Sequence, residues 1–140
     1  GFLINPPLAL FYIQGLNTTA VHAHTALFGV YGFLALGFVW LVALYIYKDK
    51  NFDDTLMKIG FWALNAGLLL MVLISLLPVG ILQAFAAIDV GMWYARSAEF
   101  LQKDSLYGLR WARIIGDTIF LVGSVCFLLQ IVRMIFSRAK

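Results

Sequence analysis

Charged residues are scarce. Only 12% of the 140 residues are Asp, Glu, Lys or Arg, about half the share of a typical soluble domain. That excludes a water-soluble globule with an ordinary polar surface. The net charge of +3 is too small and too scattered for a nucleic-acid face. The apolar stretches lack the alternation of apolar and polar residues that membrane β-strands show, which excludes a β-barrel. A single cysteine, Cys126, excludes an internal disulfide. Prolines number three, Pro6, Pro7 and Pro78, so long stretches are free to be helical.

What the chain does have is apolar bulk: 63% of its residues are hydrophobic and its mean hydropathy is +0.92. Uncharged runs occupy residues 26–47 and 59–88, and a third, 118–136, is interrupted only by Arg133. Each approaches or exceeds the roughly 20 residues that cross a bilayer core. In lipid, only a helix satisfies its backbone groups within one segment. The expected fold class is therefore an all-α membrane protein with three transmembrane helices, at about 19–47, 57–88 and 109–137. Residue 1 is Gly rather than Met and no signal peptide is visible. Residues 1–140 are accordingly expected to form the C-terminal part of a longer chain, or a processed or truncated product.

All the basic residues lie near the ends of the spans. Lys48, Lys50 and Lys58 fill the first connection, and Arg133, Arg138 and Lys140 close the chain. Arg96, Lys103, Arg110 and Arg113 share the other connection with Asp89, Glu99, Asp104 and Asp117. The positive-inside rule puts the first connection and the C-terminus in the cytoplasm. Residues 8–14 read as a loop packed on protein, ended by Gly15. Asn17, Thr18 and Thr19 are N-cap candidates for the first span. Asp53, Asp54 and Thr55 suit the start of the second, and Pro78 should kink it. Trp93, Tyr94 and Trp111 suit an interfacial aromatic belt. Asn65 and Gln83 read as hydrogen-bond glue between helices. Gly29 and Gly32 can line a close helix contact.

The stretch NTTAVHAHTALFGVYG places His22 and His24 at the start of the first apolar run. Two residues on an α-helix turn through about 200°, so the imidazoles point to opposite flanks. One ion cannot take both, since that requires i, i+3 or i, i+4 spacing. Two separate haems, one on each flank, suit the pattern, with Ala20, Ala23, Ala26 and Gly29 leaving room for flat rings. Their irons would stand roughly a dozen ångströms apart, given a helix backbone radius of about 2.3 Å. The plainer alternative is a pair of interfacial histidines satisfied by water or backbone carbonyls. Ionisable groups in membrane helices favour a functional role, but the spacing leaves both readings open.

The same stretch resembles the histidine-bearing tenth helix of the haem–copper oxidase superfamily, whose HxH pair serves a high-spin and a low-spin haem. Together with INPPLALFYIQGLNTT, LISLLPVGILQ, MWYARSAEFLQ and LRWARIIGDTIF, it is most similar to the single-chain, quinol-dependent nitric oxide reductases. The resemblance implies that the three spans are the last of a bundle of twelve or more helices. It implies His22 as ligand of a high-spin haem b iron and His24 as ligand of a low-spin haem b iron. The ligands of a non-haem iron, and the second low-spin haem ligand, would lie outside these residues.

Asp117, one turn after Arg113, reads either as a salt-bridge partner at a helix start or, by the resemblance, as the acceptor for a quinol hydroxyl. Arg96, Arg110 and Arg113 are candidates for the haem propionates, because arginine pairs bidentately with carboxylates. Ordinary interfacial anchoring explains each of them too. The implied partners are quinol as electron donor, nitric oxide as substrate, the remaining helices and the bilayer, with no nucleic acid. The implied location is a bacterial or archaeal cytoplasmic membrane with the histidines near the periplasmic side. Alternatives are a copper-containing oxygen reductase, a nitric oxide dismutase-like relative, a membrane cytochrome that only carries electrons, or a structural membrane fragment binding no cofactor.

Overall fold

The computed structural model describes residues 4–47 and 54–136. Lys48, Lys50, Asp53, Arg138 and Lys140, which carry much of the charge argument for orientation, lie outside the described residues. Three helices are long and apolar enough to cross a membrane, and no strand occurs among the described residues. The first span runs Asn17–Ile46 and the second Asp54–Asp89. The third runs Asp104–Phe136, as Asp104–Trp111 and Arg113–Phe136 with the single turn residue Ala112 between them.

The second and third spans form the packed centre. They run antiparallel and meet through glycines spaced seven residues apart, Gly60 and Gly67 on one helix, Gly116 and Gly123 on the other. A Cβ on Gly67 would lie 2.5 Å from the Phe120 nitrogen, and one on Gly116 would lie 2.6 Å from the Met71 nitrogen. One on Gly123 would come 2.9 Å from the Gly60 oxygen. Helices in lipid gain little from hydrophobic exclusion, so close backbone approach and dispersion hold them together. The close contact expected at Gly29 and Gly32 is looser: Gly29 faces the Leu68 side chain, and Gly32 its own Phe28 ring.

Several expectations at the span ends are corrected. Residues Pro7–Ile13 are a short helix rather than a loop, started by Pro7 at the first helical position, where its fixed φ and missing N–H are favourable. Gly15, at φ +74°, then turns the chain. The first span's N-cap is Leu16, with no side-chain cap. The Thr18 and Thr19 hydroxyls instead donate back to the Ile13 carbonyl at 3.3 and 3.2 Å. The distortion expected at Pro78 takes the form of a π-helical segment, Met71–Leu76, just before it. Proline supplies no N–H and crowds the carbonyl four residues back, and the wider turn lets the helix continue to Asp89.

The connection between the second and third spans is likewise helical, as Met92–Arg96 and Ala98–Leu101, and leads into Asp104–Trp111. Gly91, at φ +126°, makes the turn into it, and the Ser97 hydroxyl caps the next helix by accepting from the Phe100 N–H at 3.2 Å. Leu16, Val79, Ala86, Ala87, Ala95, Phe100 and Leu106 form one apolar cluster under these segments. Trp93 and Trp111 are exposed. Tyr94 turns inward instead, its ring 5.4 Å from that of Phe100.

The glycine seam makes a direct prediction. Gly116→Val should destabilise the protein by about 1–3 kcal/mol or more, since backbone atoms block the new side chain. Gly37→Ala, with nothing within 4 Å, should be neutral or stabilising by roughly 0.5 kcal/mol. Thermal unfolding of both variants in detergent compares them.

Candidate functional site

The start of the first span is held by the second. Gly80 lets the backbone approach closely: a Cβ there would lie 2.5 Å from the Thr18 nitrogen. Gln83, one turn later and 4% exposed, accepts the Asn17 N–H at 2.9 Å and donates to the Ala95 carbonyl at 3.1 Å. It is the interhelical glue the sequence suggests, and it also ties in the connection between the second and third spans. Asn65 is not: its amide donates to the Phe61 carbonyl of its own helix at 2.8 Å.

His24 sits where this helix changes character. The backbone is α-helical from Asn17 to Ala23 and π-helical from His24 to Gly32, and π segments occur often at functional sites. The His24 Nδ1 lies 2.8 Å from the Ala20 carbonyl. A carbonyl only accepts, so Nδ1 carries the proton and Nε2 keeps its lone pair. That nitrogen meets Nη2 of Arg113 at 3.3 Å. Arg113 Nε in turn donates to Asp117 Oδ1 at 3.2 Å.

These three side chains share a cavity of about 380 Å³ with Phe28, Leu68, Met71, Phe120, Leu121 and Ser124. Phe28 and Phe120 meet edge to face at 5.2 Å. A second, polar chamber of about 670 Å³ lies beyond the Arg113–Asp117 pair. Asn17, Ser75, Gln102, Tyr107, Arg110 and Trp111 help to line it. His22 is half-buried two residues before His24 and is not among the residues lining the His24 cavity.

The model of the cytochrome c and quinol oxidase polypeptide I family matches residues 1–119. The chain belongs to that family. No curated protein matches it. Membership makes the chain part of a haem–copper oxidase-type membrane subunit, in a family of haem-binding oxidoreductases. The three spans agree with a multi-pass membrane protein.

The His24 cavity can be tested for fit to a haem. It offers one imidazole lone pair with the opposite ring nitrogen fixed by a carbonyl, the arrangement that orients metal-binding histidines. Its walls are aromatic and aliphatic, and a guanidinium stands at its edge to meet a carboxylate. The residues fit the group. Among the described residues no three His, Cys, Asp or Glu side chains gather as a metal cluster.

The three candidate arginines differ in their surroundings. Arg96 donates to the carbonyls of Met92 and Gln14, which ties the connection between the second and third spans to the end of the first short helix. Arg110 donates to the Leu101 carbonyl at 3.1 Å and lines the polar chamber, whereas Arg113 borders both spaces. The contact between His24 and Arg113, 89 residues apart in sequence, has no local signal. The Arg113–Asp117 spacing of four was legible; its partner across the helices was not.

Gln83→Leu should lower the thermal midpoint in detergent well beyond Asn65→Leu. It leaves the Asn17 N–H and the Ala95 carbonyl unpaired, at about 1–3 kcal/mol for each buried orphan.

Proposed function

We propose that this chain is the C-terminal part of a membrane nitric oxide reductase that draws electrons from quinol. The observation that supports it most is the histidine helix itself. His24 presents Nε2 to a cavity walled by the third span, and His22 lies two residues earlier, turned by about 200°. In this reading His24 binds the low-spin haem b and His22 the high-spin haem b. When bound, the haems supply one-electron transfer and, with a non-haem iron, the place where two NO become N₂O and water.

The chain's own residues then have distinct tasks. The Ala20 carbonyl keeps the His24 proton on Nδ1, so that Nε2 is always the ligating atom. Phe28, Leu68, Met71 and Phe120 exclude water from the cavity, which strengthens the polar contacts at its edge. Asp117 has lone pairs beyond the one Arg113 uses. It can therefore accept a quinol hydroxyl at the border between the cavity and the polar chamber. Arg113 and Arg110 offer cationic partners for propionate carboxylates, and Arg96 is the weaker candidate because two backbone carbonyls already occupy it. The non-haem iron takes its ligands from helices outside these residues. Only 6% of the first span's apolar window is buried in this chain, against 39% of the second. Such an open surface suits further helices packing around the histidines. The protein sits in a bacterial or archaeal cytoplasmic membrane with the histidines on the periplasmic side.

The family match supports a second reading, an oxygen reductase, because the family is named for cytochrome c and quinol oxidases. Metal analysis of the full-length protein in detergent separates the two. Nitric oxide reduction predicts two b-type haems, one further iron, no copper, and quinol-driven NO consumption. Copper in place of the third iron, with oxygen consumed, would move the protein to the oxygen reductases.

A further inference from the structure

We propose that Asp117 is a positioning residue for the haem ligand His24, acting through the Arg113 guanidinium. The inference rests on the haem reading above and adds a task for Asp117 separate from any contact with quinol.

The geometry forms a chain of three contacts. The Ala20 carbonyl holds Nδ1 of His24 at 2.8 Å, and Arg113 Nη2 meets Nε2 of the same ring at 3.3 Å. Asp117 Oδ1 accepts from Arg113 Nε at 3.2 Å. An imidazole with its proton on Nδ1 needs a donor at Nε2, and arginine has donors to spare. A lone arginine near a membrane surface would extend its long side chain toward the headgroups. Asp117, one turn further along the same helix, holds the guanidinium over the ring instead. As an isolated pair at i, i+4 it would contribute little; its use lies in the direction it gives Arg113.

Nε2 has one lone pair, so the guanidinium and an iron are mutually exclusive partners. Ligation therefore requires Arg113 to leave Nε2. Asp117 still holds it by Nε, which keeps the cation beside the imidazole rather than releasing it outward. Asp117 thus sets where the charge next to the ligated ring comes to rest. Both residues border the His24 cavity and the polar chamber, so the guanidinium has room to move between the two.

The test uses the full-length protein carrying Asp117→Ala, Asp117→Glu, Arg113→Met, or Asp117→Ala with Arg113→Met. Two quantities are read: low-spin haem retained per high-spin haem after purification, and the low-spin electron paramagnetic resonance signal. The expected result is a shifted signal and partial loss of low-spin haem in Asp117→Ala, with recovery in Asp117→Glu. Arg113→Met should show the same change, and the double variant should be no worse than Arg113→Met, because both act through one contact. A wild-type signal and haem ratio in Asp117→Ala, with only the quinol KM raised, would overturn the inference. Should Asp117→Ala not accumulate, an unaltered signal in Arg113→Met does the same. Wild-type protein without low-spin haem would instead overturn the haem reading on which the inference rests.

Discussion

The Asn17 N–H opens a helix that enters a bilayer, and no carbonyl one turn earlier is available to accept it. In lipid such an orphan donor must be met by protein. Gln83 meets it from the second span, and the same amide reaches the Ala95 carbonyl on the connection that follows. Gly80 brings the two backbones close enough for this to happen. Three segments distant in sequence are thereby fixed around one side chain. Since His22 and His24 follow within two turns, their height and rotation against the third span depend on that junction.

Below the junction the molecule is held by a different device. Gly60, Gly67, Gly116 and Gly123 remove side chains along one seam and let the second and third spans touch backbone to backbone. The seam sets the register in which Arg113 and Asp117 stand opposite the first span. The polar junction at Gln83 and the small-residue seam therefore act on the same site from two sides.

The three spans were legible because uninterrupted apolar length has one cheap structural solution in lipid. Helix geometry alone implies opposite flanks for His22 and His24; of the two, the structure places His24 on the cavity beside Arg113. What was not legible has particular causes. The helices between the second and third spans are short, and exposed aromatics such as Trp93 carry no signal for helix. The proline signal at Pro78 was right about strain but silent on its form, a π-helical segment. Asn65 and Gln83 are equally polar in sequence, yet one bonds its own helix and the other joins three segments, which only the packing decides. The arginine facing His24 belongs to a helix 89 residues away. Spacing rules reach one or two turns, so they found Asp117 beside Arg113 and missed the ring that Arg113 meets.

A single helix that serves two haems, one on each flank, is the central claim of this account. Reduced-minus-oxidised optical spectra of the full-length protein carrying His24→Ala or His22→Ala test it most directly. His24→Ala should remove the low-spin haem signal and leave much of the high-spin one, while His22→Ala should do the reverse. Loss of both signals from either change in a folded protein, or of neither from both, would contradict it.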